Sequence, residues 1–223
     1  MAISLSHLTR TGLLLSITAL SGCGIDGVWT PALESLKNTV APKPETTISR
    51  KEIENIPYAM ITARVGSLPS ALLVLSTNEK NQLQWMAANN VSLVTRFGRI
   101  IKTVGFESDL YNSYTYGQDP LETSPHKIKT SVKFARFIQY NEPEHITLNL
   151  ECSLSQEEDE KITISEIDFD TIRLKESCQS TTSRWSFDNT YWVDPYDGFV
   201  WQSLQHTSPH NNQVFYAVLK PAQ

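Results

Sequence analysis

The chain has 223 residues, of which 40% are hydrophobic, enough to bury one large core or two small ones. Its 19 basic residues against 24 acidic ones give a formal charge of −5. That balance supplies no basic stripe for neutralising phosphates, so a nucleic-acid partner is excluded.

The N-terminus points to a compartment. Arg10 is the only formally charged side chain before Asp26, and residues 11–20 form an apolar run that leads into Leu20-Ser21-Gly22-Cys23. The run is shorter than the roughly 20 apolar residues of a membrane-spanning helix. A positive start, an apolar centre and small residues before a cysteine have the shape of a bacterial lipoprotein signal peptide. Residues 1–22 are therefore expected to be removed, with Cys23 carrying diacylglycerol and an N-acyl chain. Each buried CH₂ of such tails contributes about 0.8 kcal/mol, so the anchor is effectively permanent. Gly24 rather than an aspartate follows the cysteine, which by resemblance to lipoprotein sorting implies the outer membrane.

Residues 23–55 read as a lipidated N-terminus, a short helix and a linker. Thr30-Pro31 looks like an N-cap with proline at the first helical position, and Trp29, Leu33, Leu36 and Val40 recur at helical spacing. Residues 41–45 form a stiff, proline-rich spacer. Ser49 and Glu52 have the spacing of a capping box, opening one helical turn that stops before Pro57.

From residue 56 to the end the pattern is β-rich. Residues 58–63, 71–76, 82–87, 91–96 and 99–104 are short apolar runs separated by polar or glycine-containing turns, such as Asn78-Glu79-Lys80-Asn81 and Ala88-Asn89-Asn90. Residues 111–130 are polar with little periodicity and read as a long loop. Strand signals return at 131–140. Ile146, Leu148, Leu150 and Cys152 then alternate with His145, Thr147, Asn149 and Glu151. The acidic run 156–160 lacks the glycine and spaced oxygens of a calcium loop and reads as a solvated hairpin tip. Beyond it, Ile162 and Ile164, Ile167 and Phe169, and Ile172 and Leu174 change phase twice, predicting bulges or bends near Ser165 and Asp170. The expected fold is mainly β: a single domain of antiparallel, bulged and coiled sheet, barrel-like or sandwich-like, with a short N-terminal helix.

Once Cys23 is lipidated, Cys152 and Cys178 remain, and an oxidising envelope compartment favours a disulfide between them worth about 3.5 kcal/mol. A hairpin turning at Glu158 would pair Cys152 with a residue near Ser165, so this bridge requires a further chain reversal.

Residues 185–203 hold three of the five tryptophans. Two apolar arms flank Asp194-Pro195-Tyr196-Asp197-Gly198, a strong hairpin signal. Trp192 and Trp201 are candidates for a platform stacking on sugar rings, with Asn189, Tyr191, Asp194 and Gln205 beside them as glycan- or partner-binding residues. The same alternation is the pattern of core residues, which the spacing favours. Asp194 and Asp197 share one tight turn, too close to flank a glycosidic bond. His206 and His210 are separated by Pro209, which forbids the helix that would align them for metal. No nucleophile elbow and no phosphate-cradling glycine motif occurs. No catalytic residues, metal or cofactor are expected.

The string NTYWVDPYDGFVWQSLQHTSP, holding Asn189, Tyr191, Trp192, Asp194, Gly198, Val200, Trp201, Ser203, Gln205 and Pro209, is followed by Leu219-Lys220-Pro221-Ala222. Together with IPYAMITARVG, ALLVL and TRFGRIIKTVGF upstream, it resembles the YjbF/GfcB family, over about residue 56 to the C-terminus. The resemblance implies an outer-membrane lipoprotein of a Gram-negative bacterium, associated with group 4 capsule and exopolysaccharide, with a mainly antiparallel β fold and no catalytic residues to carry over. The expected role is non-enzymatic help in assembly or export of that polysaccharide, periplasm-facing, through envelope protein partners or the glycan itself. The alternatives are a polysaccharide-modifying hydrolase or lyase, and a general outer-membrane assembly adaptor.

Overall fold

The computed structural model describes residues 48–140, 146–210 and 213–222, all within a compact unit spanning Pro44–Gln223. Cys23, the signal segment, the helix expected to end near Val40 and the 41–45 spacer lie outside the described residues.

The capping box is present. Helix α1 (Arg50–Asn55) begins where the Ser49 hydroxyl accepts from Glu52 N and the Glu52 carboxylate accepts from Ser49 N. It ends at Ile56, the residue that Pro57 holds extended. Its Ile53 is fully buried beside Met60, Ala217 and Leu219. Arg50 Nη1 donates to the Leu219 carbonyl at 3.2 Å, so the turn is clipped to the last strand as well as packed on it.

Twelve strands follow: β1 (Met60–Val65), β2 (Ala71–Glu79), β3 (Gln82–Met86), β4 (Ser92–Arg96), β5 (Arg99–Val104), β6 (Leu110–Tyr116), β7 (Val132–Tyr140), β8 (Thr147–Ile164), β9 (Ile167–Ser180), β10 (Ser186–Val193), β11 (Val200–Gln205) and β12 (Val214–Lys220). They form one sheet in the order β5-β4-β3-β2-β1-β12-β11-β10-β9-β8-β7-β6. Each strand pairs with its chain neighbour and β12 returns to pair antiparallel with β1, so the sheet curls into a barrel in which only β5 and β6 lack a ladder. Side chains cross that seam instead. Asp109 accepts from Thr103 Oγ1, Gly105 N and Phe106 N, each at 3.0 Å, and Thr103 Oγ1 accepts from Leu110 N at 2.8 Å.

Period-two alternation sends Leu148, Leu150, Cys152 and Leu154 of β8, Leu174 and Cys178 of β9, and Val214, Tyr216 and Val218 of β12 into the barrel. Glu151, Arg173, Lys175 and Asp188 point outward. A barrel facing lipid puts its apolar residues outside and its polar ones inside, and this barrel is patterned the other way. No helix among the described residues is long and apolar enough to cross a membrane.

Three expectations are corrected. First, the 111–130 stretch is not all loop. Its first part is β6, and in the remainder Leu121 and Ile128 are buried with Leu154, Ile172, Tyr191 and Val193, while Pro125 is buried beside Gly198. Polar composition hid this strand because only Leu110 and Ser113 of β6 are buried. Second, the acidic run 156–160 is not a hairpin tip. It lies within β8, and the chain reverses at Ser165-Glu166, whose φ angles of 45° and 72° suit a tight two-residue turn. That turn places Cys152 directly opposite Cys178, and the disulfide forms with no further chain reversal. Third, of the two bulges or bends expected, the one near Ser165 is the hairpin turn itself, whereas the register irregularity falls between Gln156 and Glu158 rather than near Asp170. Beyond this bulge the hairpin leaves the barrel wall and buries Ile162 and Ile164 with Ala217 and Leu219, on the outside of β12. The phase changes in the sequence record this exchange of buried face: Phe169 packs on the outer cluster, Ile172 and Leu174 in the interior.

Candidate functional site

One end of the barrel combines a polar interior with an open groove. The interior is built from charged residues in the apolar phase of their strands. Glu176 lies between Leu174 and Cys178 on β9, and Arg136 shares a face with Ile138 and Tyr140 on β7. Arg99, at the start of β5, is 1% exposed and Glu176 is fully buried. Arg99 Nη1 donates to Glu176 Oε1 at 2.7 Å and to Tyr191 Oη at 3.1 Å. Its Nε and Nη2 hold both oxygens of Asp119, at 2.6 and 3.0 Å, a bidentate clamp across the β5–β6 seam. The second oxygen of Glu176 accepts from Arg136 Nη1 at 3.1 Å, Asn189 Nδ2 at 2.6 Å and Tyr191 Oη at 3.0 Å. Gln205 extends the network. It accepts from Ile100 N at 3.0 Å and donates to Gly98 O and Ser203 Oγ.

Two arginines and two carboxylates leave the interior neutral in sum. Burial alone would push the Glu176 carboxyl up, but Arg136, Arg99 and the Asn189 amide together hold it below the usual range. Asp119 is likewise driven well below that range, Arg99 and the Leu121 amide outweighing burial. Burial pushes the Tyr191 phenol well up, so it stays protonated and donates. A carboxylate that is ionised, shielded from water and fully engaged by donors is a structural acceptor. A general acid needs a raised pKa.

Above the network is a groove of about 520 Å³. It opens between the β2–β3 turn, the β4–β5 turn, residues 121–125, the β10–β11 turn and the C-terminal Pro221-Ala222. Trp85, Phe97, Phe199 and Tyr216 give it aromatic walls, and Asn78, Asn81, Glu122 and Asp197 a polar rim, the composition of a recognition pocket. Tyr216 Oη donates to Gly98 O at 2.7 Å, tying the groove wall to the interior network. Gly98, at φ +83°, lies against Val200, where any Cβ would overlap the valine side chain.

The structure splits the binding set expected from the aromatic hairpin. Asn189, Tyr191 and Gln205 are at most 1% exposed and belong to the interior network, so they are not offered to a glycan. Trp192 and Trp201 are half-buried beneath the outer end of the β8–β9 hairpin rather than open as a platform. Trp192 Nε1 donates to Glu160 at 2.8 Å, and Trp201 lies on Phe169 with ring centroids 4.1 Å apart. Asp194 accepts from Tyr196 N and Trp201 Nε1 and so holds the turn. The acidic run meets Arg173, which reaches Glu157, Glu158 and Glu160 at 2.9, 2.5 and 3.0 Å. Cys152, Cys178 and Glu176 bring potential metal-ligand atoms together, but both sulfurs are committed to the disulfide and Glu176 to two arginines. Arg99, Asp119, Arg136 and Glu176 escaped sequence reasoning. For Arg136 and Glu176 the available signal was a charge standing where alternation calls for an apolar residue; Asp119 lies in no strand and carries no such signal.

Comparison with known proteins agrees over most of the chain. A family described as "Group 4 capsule polysaccharide lipoprotein gfcB, YjbF" matches residues 33–219. The Escherichia coli K12 protein named "Uncharacterized lipoprotein GfcB" is 28% identical over 211 residues, covering 94% of this chain and 98% of that protein. From the same organism, "Uncharacterized lipoprotein YjbF" is 25% identical over 190 residues, covering 85% and 88%. The crystal structure of the E. coli K12 hypothetical lipoprotein YmcC superposes with a TM-score of 0.72 at 26% identity, over 92% of this chain and all of that one.

Proposed function

The chain belongs to the YjbF family of group 4 capsule polysaccharide lipoproteins, and from that membership we propose that it is a lipid-anchored component of the outer membrane that assists assembly or export of a surface polysaccharide without cleaving it. Cys23 carries the anchor, and the barrel faces the periplasm. The groove at the barrel end serves recognition of an envelope partner or of a glycan end.

The observation that supports recognition over bond cleavage is the state of the interior carboxylates. Glu176 and Asp119 are held ionised by arginine and engaged by donors, while Asp194 and Asp197 accept from backbone amides of their own turn. The first two acids join strands of the barrel and the last two hold their turn.

The test is deletion of the gene in a polysaccharide-producing strain. Surface polysaccharide should fall in amount, length or attachment, and return when the gene is restored. An unchanged surface under producing conditions would overturn the role. Incubating the purified lipoprotein with the polymer should leave its size and reducing ends unaltered. New reducing ends would make it an enzyme.

A further inference from the structure

Strand β6 leaves a row of tyrosines on the outside of the barrel. Tyr111, Tyr114 and Tyr116 remain 49%, 41% and 51% exposed. Tyr114 stacks on Phe137 of β7 at 4.7 Å and meets Tyr116 at 5.3 Å with their planes at 72°, which makes an aromatic corner. The Tyr116 hydroxyl donates to Asn149 Oδ1 at 3.2 Å and joins this corner to β8.

Beyond Asn149 the outer face changes character. Glu151 is opposite Gln179 and Ser153 opposite Ser177 across β8 and β9, and β10 adds Ser186 and Asp188 in register. The curved strands enclose a trough of about 480 Å³ along these rungs. Lys133 and Lys175 offset Glu151 and Asp188, Lys175 and Asp188 being paired at 2.9 Å.

Half-exposed tyrosine rings beside amides, hydroxyls and carboxylates match a pyranose chain, whose C–H faces lie on aromatic rings while its hydroxyls need both donors and acceptors. The charge balance argues against the two other large partners such a face would meet. A polyanion needs unpaired cations to neutralise it, and an anionic membrane needs a basic cluster.

We propose that this outer face of β6 to β10, aromatic corner and polar trough together, binds a run of sugar units of the surface polysaccharide. The proposal rests on the polysaccharide role argued above and gives it a site distinct from the barrel-end groove.

The experiment is calorimetric titration of the full-length lipidated protein in detergent with polysaccharide purified from the producing cells. Saturable binding is expected. The double variant Tyr114→Ala/Tyr116→Ala, which removes two half-exposed rings with their contacts to Phe137 and Asn149 and reaches no residue of the core, should weaken it by about tenfold or more. Ser153→Trp, filling the trough, should weaken it independently, and Lys161→Ala on the far end of the hairpin should leave it unchanged. Equal binding by wild type and both blocking variants overturns the site, as does no binding by the wild type, or binding to phosphatidylglycerol vesicles in place of the polymer. A deletion strain fully rescued by the tyrosine double variant removes this site and leaves the role standing. A deletion strain with an unchanged surface removes both.

Discussion

Two arginine–carboxylate clusters among the described residues differ above all in access to water. Inside, Arg99 and Arg136 share Glu176, with Asp119 closing the seam, all nearly or fully buried except Asp119 at 17%. Outside, Arg173 gathers Glu157, Glu158 and Glu160 at similar distances, with side chains 29% to 58% exposed. In the interior the charges have no solvent to fall back on, so each depends on its partners. On the surface, water and salt replace any partner that is lost. Equal-looking ion pairs therefore hold very different shares of the fold.

The sharpest way to break this contrast is Glu176→Ala. It strands the buried Arg136 guanidinium and leaves Arg99 with Asp119 as its one carboxylate, and the expected loss is about 3–5 kcal/mol, read from urea denaturation. A loss as small as that of a surface pair would mean that water reaches the interior. The disulfide comes next, since Cys178 Sγ is 4.0 Å from Arg136 Nη1 and the bridge pins the wall that carries Glu176. Replacing Cys152 and Cys178 together by alanine should cost about 3.5 kcal/mol for a separation of 26 residues.

Acid sharpens the comparison further. Glu176 and Asp119 have folded pKa values below their unfolded ones, so their contribution is complete above about pH 5 and declines as pH falls through the unfolded values near 4 towards the folded ones. His206, whose pKa burial lowers, adds a gentler decline that begins near pH 6.5, because the unfolded chain takes the proton first. Denaturation midpoints from pH 7 to 3 should show both limbs, and Glu176→Gln should flatten the acid one. The smallest effect is expected of Arg173→Ala, less than about 1 kcal/mol and smaller still in high salt.

The same contrast explains what could be read from the chain. Alternation from Leu148 to Cys152 revealed the interior face of β8, though Ile146 before it is 39% exposed; Ser49 and Glu52 revealed the cap of α1, and Asp194 to Gly198 revealed the β10–β11 turn, because each signal is local. The position of Cys178 opposite Cys152 was not readable, since it depends on the reversal at Ser165-Glu166, a pair without the Asn, Asp or Gly that marks a two-residue hairpin turn. The acidic run looked like a tip because Arg173, its partner, lies on the next strand. The role of Glu176 was hidden for a deeper reason. Its partners come from β5, β7 and β10, and no window of sequence contains them together. Asn189, Tyr191 and Gln205, polar residues on an aromatic hairpin, looked like ligand-binding groups for the same reason: the arginine that Tyr191 meets is 92 residues away.

The central claim is that the interior charges hold the barrel and perform no chemistry. Its most direct test is surface polysaccharide in a strain whose sole copy of the gene carries Glu176→Gln, normalised to the amount of folded protein. The account predicts less folded protein, each molecule as effective as wild type. Wild-type levels of folded protein with no polysaccharide at the surface would contradict it and assign Glu176 a chemical role.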